Sequence, residues 1–324
     1  MRYETVPSLP SSSAPLVSIV IPCFLATARQ AELLDETLGS VAAQTCSNFE
    51  VVIVDDGSSL DVRTVADRYA FARVLRQANA GSAVARNTGI AASRGSYFVF
   101  LDADDHLLPK GLEASLQNLE EHPDCGFAIG RREEMTYEGE PVPWGVAAMP
   151  RETQLYRTLL GFDWYIIPPS SAIFRREVVE KVGGFRDPWG ADDLDFYLRV
   201  ARQYRGWCYD EPPVTRYRRY SASSSRDGAR MLRSIRAVYE REWSFVKGDA
   251  ELEAAFHRGL GALERIFTDC LAENLADRVR AGNWLGALRA AGLLAREDPR
   301  RLPEELRALS GRGSEVLSDA QGST

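Results

Sequence analysis

The sequence predicts an α/β protein: a mostly parallel sheet with helices on both faces, followed by a C-terminal helical region. Three observations carry this. Up to Asp105, short β-branched or aromatic runs alternate with segments of helical spacing, the pattern of strand–helix–strand crossovers. The apolar run Tyr97–Leu101 passes directly into Asp102, Asp104 and Asp105, as a buried strand does when it opens onto a ligand crevice. From Met231 to about Leu309 the composition shifts to Ala, Leu, Arg and Glu, with an apolar stripe at helical spacing.

Val17–Ile21 reads as the first strand, stopped by Pro22. Residues 29–43 follow as a helix with Leu34, Leu38 and Val41 on one side. Phe49–Val54 is a second strand ending in Asp55, Asp56, Gly57 and Ser58. Ser58 or Ser59 is the expected N-cap of the next helix, whose apolar face is Val62, Val65 and Tyr69. Arg73–Arg76 is a weaker third strand, and Asn79–Ser82 turns the chain into an Ala-rich helix over 83–93.

The strand ending at Asp102–Asp105 comes next. In extended backbone Asp102 and Asp104 point the same way, and two hard oxygen donors there suit a divalent cation. Taken alone, the stretch reads equally well as an Asp-rich loop closed by Pro109. Residues 111–121 read as a helix, Cys125–Ile129 as a strand, and 131–150 as irregular, with a hairpin around Glu138 and Gly139. Ser171–Phe174 is a short strand, 177–182 a helix halted by Gly183 and Gly184, and 192–204 another helix. Leu260, Leu263, Phe267, Leu271, Leu275 and Val279 form a stripe assigned to core packing. Gly282 and Asn283 break it before a helix over 284–296.

Composition excludes several classes. The net charge of −7 over 324 residues argues against a nucleic-acid binder, although Arg216, Arg218, Arg219, Arg226, Arg230 and Arg233 form a local basic stretch. Five scattered cysteines fit a reducing compartment, and with only three histidines a zinc site is not expected. No apolar run approaches the length of a membrane span. The Ser/Pro-rich residues 1–15 lack the apolar core of a signal peptide. A cytoplasmic location is therefore expected, with peripheral contact at the inner face of the membrane through the basic stretch as an added expectation. No Gly-x-Gly-x-x-Gly follows the first strand, which disfavours a dehydrogenase. Cys23–Thr27 lacks the Gly-rich basic loop expected of a nucleotidyltransferase.

Four segments taken together carry a resemblance: Val17–Phe24, Val54–Ser58, Ala80–Gly89 and Leu101–Asp105. They resemble the family 2 glycosyltransferases, and the likeness continues through Ser171–Arg176, Val182–Phe185 and Gly190–Arg199. It implies a Rossmann-like glycosyltransferase type A fold and an inverting transfer from a nucleotide-sugar donor, taken as a UDP-hexose. The implied acceptor is a glycan, a lipid-linked sugar or a protein. The implied organisation is a lead over 1–15, a catalytic domain over 16–228, a helical region over 229–309 and a tail over 310–324. A catalytically inactive nucleotide-sugar-binding module and a nucleotidyltransferase remain the alternatives.

Site roles follow from the resemblance position by position. Pro22 and Phe24 would line the nucleotide base pocket, and Asp56 would accept a hydrogen bond from the base. Asp55 is either a site carboxylate or a turn cap. Arg86 would approach the diphosphate or the base, unless it pairs with the strand-end aspartates. Asp102 would contact the ribose, and Asp104 would ligate Mg2+ or Mn2+ held with the diphosphate. Asp193 would be the catalytic base, although a carboxylate in a first helical turn also serves as a cap. Asp192, as a surface or capping residue, needs no special role. Tyr220 stands where the family pattern has His, so Arg218 and Arg219 are expected to supply positive charge to the diphosphate. Trp164 and Trp189 are candidates for stacking on an acceptor sugar.

Overall fold

The computed structural model describes residues 16–143, 148–164, 167–186, 190–220 and 226–309. The lead, the tail, Trp189 and the Ser221–Ser225 part of the basic loop lie outside the described residues. Strands in chain order are β1 Val17–Cys23, β2 Phe49–Asp56, β3 Ala72–Gln77, β4 Tyr97–Phe100, β5 His106–Leu107 and β6 Cys125–Gly130, then β7 Arg132–Met135, β8 Pro141–Val142, β9 Ala172–Arg175, β10 Arg205–Tyr209 and β11 Thr215–Arg218. The helices are α1 Ala28–Ala42, α2 Arg63–Ala66, α3 Ser82–Ala92, α4 Gly111–Glu121 and α5 Tyr156–Leu160, then α6 Arg176–Val182, α7 Asp192–Gln203, α8 Gly228–Val246, α9 Ala250–Arg280 and α10 Trp284–Glu297.

Seven strands form the main sheet in the order β10-β6-β9-β4-β1-β2-β3. All share one direction except β9, which is antiparallel to both β4 and β6. Alternation of side chains sends Val17, Ile19 and Ile21 to the face covered by α1, α2 and α4, and Val20, Phe98 and Phe100 to the other. That second face carries α6 and α7, and against these the C-terminal helices α8, α9 and α10 extend the same apolar core. Gly89 lets α3 approach closely, since a Cβ there would stand 2.3 Å from Val20 Cγ1.

Two expectations shift. Pro22 does not stop β1, because the β4 ladder ends at Val20 while the β2 ladder runs on to Cys23. A residue without an N–H is tolerated where one side of the strand has no partner. Ser58 and Ser59 do not cap α2, whose N-cap is Val62. Ser58 instead accepts a hydrogen bond from Leu25 N at 2.8 Å and donates its own N–H to Asp55 Oδ1. A second sheet, β5-β11-β7-β8, flanks the strand ends and contains the hairpin expected near Gly139. No described helix is long and apolar enough to cross a membrane.

Candidate active site

The strand ends β1, β2 and β4 and the start of α7 frame a cleft of about 540 Å3. Pro22, Phe24, Asp56, Arg86, Asp102, Asp104, Asp193 and Arg218 all line it. It lies beyond the carboxyl ends of the central strands, where an open parallel sheet binds ligands.

At the β2 end, Asp56 Oδ1 accepts from Gln77 Nε2 and Ala80 N, and Oδ2 from Gly81 N, each at 2.8 Å. Pro22 is half-buried and Phe24 is 45% exposed at the rim. Asp55 is a turn cap: Oδ1 accepts from Ser58 N, and Oδ2 pairs with Arg76 at 2.7 Å.

Beyond β4 the chain is not extended, because Asp105 N bonds back to Asp102 O and closes a turn. The three carboxylates therefore diverge. Asp102 faces Arg86, Asp104 Oδ2 accepts from Tyr220 Oη at 2.8 Å, and Asp105 is buried, accepting from Ser170 Oγ and Arg218 N. Burial, then the charge of Asp102, raises the Asp104 carboxyl above its ordinary range. The same burial, with Asp104 beside it, pushes Asp105 well up. Tyr220, desolvated and next to Asp104, stays protonated as the donor.

Arg86 takes the ion-pair alternative. It is 5% exposed and grips Asp192 at 2.5 Å and Asp102 at 2.6 Å, with Phe185 stacked 5.2 Å from its guanidinium. Asp192 is thus a buried partner of Arg86, not a spare surface carboxylate, and together they tie the Asp102 turn to α7. Gly190 (φ 143°) and Ala191 (φ 50°) lead into α7 in conformations that L-residues rarely adopt. They turn the chain so that Asp193, in the first turn of the helix, lines the cleft. Burial first, and Asp192 second, push the Asp193 carboxyl up to about 7, with Arg86 pulling the other way.

Arg218 sits deeper than a loop residue reaching for a diphosphate. It lines the cleft but is 1% exposed. Its guanidinium donates to Asp104 O, Tyr137 O and Glu36 Oε2 and meets His106 Nε2. A guanidinium so enclosed positions the Asp104 turn and has no donor turned to a phosphate. Other arginines of the basic stretch are also neutralised, Arg216 by Glu133, Arg219 by Glu134 and Arg226 by Glu273.

Sequence reasoning missed Glu36 and Asp105, whose partners are distant in sequence. Leu263 and Phe267 belong to the core, as their spacing implied, and in addition both line the cleft with Met231 and Ile235. The stripe's period identifies a buried helix face but does not say what covers it. Trp164 does line the cleft.

The sheet with helices on both faces and carboxylates gathered at its strand ends makes this an α/β protein with its crevice where such sheets bind ligands. The model of Glycosyl transferase family 2 matches residues 18–183, and the chain belongs to that family. An "uncharacterized glycosyltransferase" of Haemophilus influenzae is 32% identical over 197 residues, covering 58% of this chain and 63% of its own. EpsJ of Bacillus subtilis is 31% identical over 202 residues, covering 58% of this chain and 57% of its own. The chain thus spans less than two thirds of these relatives' lengths.

Among solved structures, S. aureus TarS 1-349 in complex with UDP-GlcNAc superposes with a TM-score of 0.63 at 17% identity. The match covers 89% of this chain and 82% of that one. The mannosyltransferase PcManGT of Pyrobaculum calidifontis, in complex with GDP-Man and Mn2+, gives 0.58 at 20% identity, covering 95% and 90%. Both have the glycosyltransferase type A fold, and at these identities they speak to the fold alone.

Proposed function

We propose that the chain is an inverting, metal-assisted glycosyltransferase. In this reading it moves a hexose from a nucleotide-sugar donor, taken as UDP-linked, to a hydroxyl of a glycan or lipid-linked acceptor. The observation that carries it is the meeting of Asp56, the Asp102–Asp104 turn and Asp193 in one cleft. The Asp56 carboxylate offers about four acceptor positions and three are filled by Gln77 and the loop after it, which leaves one for a base N–H such as that of uracil. Pro22 and Phe24 beside it offer apolar walls to the base, and Asp102 is assigned to the ribose.

In the reaction the acceptor oxygen attacks the anomeric carbon and Asp193 takes its proton. The bond from that carbon to the diphosphate oxygen breaks, and its electron pair leaves with the diphosphate. Arg86 and Arg218 are already paired, so charge building on the leaving group calls for a further cation. Among the described residues no three or more His, Cys, Asp or Glu gather into a metal cluster. The donor set fits Mg2+ or Mn2+ all the same, since such ions take one or two carboxylates and complete their shell with substrate phosphates. Asp104 would hold the ion, which supplies charge stabilisation to the leaving diphosphate. The complexes of TarS with UDP-GlcNAc and of the mannosyltransferase with GDP-Man and Mn2+ support the donor class and a divalent ion.

A thermal-shift panel of UDP- and GDP-sugars with and without Mn2+ tests the reading. Stabilisation grows with ligand affinity, so one donor should stand out, and more strongly with metal. No shift with any of them would sink it.

A further inference from the structure

The cleft has two chemically different ends. At the sheet end its lining is carboxylate-rich. Past Asp193 it continues between α5, α8 and α9, and there Leu159, Trp164, Met231, Ile235, Leu263 and Phe267 form most of its wall, with Thr158 of α5 and Arg230 of α8 as its polar members. Among the described residues lining the cleft, α5, α8 and α9 contribute no carboxylate. The helices are brought close by glycines. A Cβ on Gly259 of α9 would stand 1.9 Å from Leu160 O, and one on Gly228 of α8 would stand 2.5 Å from Phe267 O. This apolar chamber adjoins the proposed base: the Cβ position of Gly190, three residues before Asp193, lies 3.1 Å from Met231 Sδ.

We infer that this chamber binds a hydrocarbon portion of the acceptor, so that the acceptor is a hydroxyl-bearing, lipid-linked molecule. The inference rests on the glycosyltransferase reading and narrows it. The nucleotide occupies the Asp56 end, and the attacking hydroxyl must sit at Asp193. The remainder of the acceptor then extends along the one direction whose wall is apolar. A glycan placed there would lose water from many hydroxyls, and the mostly hydrocarbon wall offers few polar groups to replace it. An alkyl or isoprenoid chain placed there gains affinity with each buried methylene. The leucine and phenylalanine stripe of α9 thereby serves the substrate as well as the core.

The test is calorimetric titration of the full chain, saturated with UDP and Mn2+, with methyl, hexyl and octyl β-D-glucosides below their micelle thresholds. Affinity should rise by about two- to fourfold per added methylene. In Leu159→Trp, which fills the chamber from one of its less buried walls, the dependence on chain length should disappear. Met231→Phe serves as a second filling variant should the first fail to fold, and UDP titration of each variant reports whether the donor end is intact. Equal binding of all three glucosides, with UDP binding retained, would overturn the inference and leave the glycosyltransferase reading standing. So would a chain-length dependence that survives filling but vanishes in Leu288→Ser, since that puts the alkyl chain on the exposed Trp284, Leu285 and Leu288 patch of α10. Absence of binding by UDP and by every nucleotide sugar would remove the reading on which the inference depends.

Discussion

Asp193 is the residue on which the proposed chemistry turns, and its environment makes that checkable. Burial and the neighbouring Asp192 disfavour the anion and push its carboxyl up to about 7. A general base works only when ionised, so kcat/KM for the donor should rise with pH through about 7 and level off above it. Arg86 holds that value down, so Arg86→Gln should move the limb to higher pH. Asp193→Asn should lower turnover by about 10²- to 10⁴-fold, and wild-type turnover in that variant would remove Asp193 from the mechanism. Stability carries an independent signature. Between the ordinary value of 3.8 and the folded value near 7, the folded state binds more protons than the unfolded one, so the group's contribution to stability falls as pH rises through that window. Asparagine has no charge to bury. Thermal melts should therefore show Asp193→Asn gaining Tm relative to wild type at pH 8 and gaining little or nothing at pH 4.

At the scale of elements, the small sheet β5-β11-β7-β8 holds the Asp104 turn in place through Arg218. That arginine joins β11 to the Asp104 backbone, to Tyr137 and to Glu36 of α1. Lysine could replace the charge but not the fork that serves several acceptors at once. Arg218→Lys should lower Tm at unchanged UDP affinity, each buried acceptor left without its donor costing about 1–3 kcal/mol. A loss of UDP affinity with Tm unchanged would return Arg218 to the diphosphate. Why this was illegible in sequence is plain from the partners, since Glu36 lies 182 residues from Arg218. The strands Val17–Cys23 and Phe49–Asp56 were legible because their apolar runs are local signals. So were the carboxylates at their ends. The antiparallel direction of β9, the pairing of β10 with β6, and the divergence of Asp102 and Asp104 were not, because each depends on where the chain returns. Asp192 shows the same limit: its residue type suggested a cap, and only its meeting with Arg86 makes it part of the site.

At the scale of the molecule, the question is whether the helices after residue 228 form a separate unit or complete the first. The expected boundary between 228 and 229 falls at the start of α8 (Gly228–Val246). Packing across it is continuous. Phe98, Phe100 and Phe174 of the sheet, Leu198 of α7, Tyr239 of α8, Phe267 of α9 and Leu294 of α10 belong to one apolar core. Glu242 of α8, 3% exposed, accepts from Tyr156 Oη at 2.6 Å and pairs with Arg202 of α7 at 2.8 Å. Tyr239 Oη donates to Leu160 O at 2.7 Å. A chain ending at residue 228 would leave Arg202 and the Tyr156 hydroxyl without Glu242 and would expose one side of that core. Each large apolar side chain returned to water costs about 1.5–3 kcal/mol, against a total stability of about 5–15 kcal/mol for a domain. We therefore expect the 1–228 fragment to melt without a cooperative transition and to bind a hydrophobic dye, while the full chain unfolds in a single step. The same helices wall the far half of the cleft, so they cannot be removed without opening the site. A sharp, reversible melt of the fragment, with UDP still bound in the presence of Mn2+, would show that the catalytic unit ends at α8 and that the C-terminal helices are an appendage.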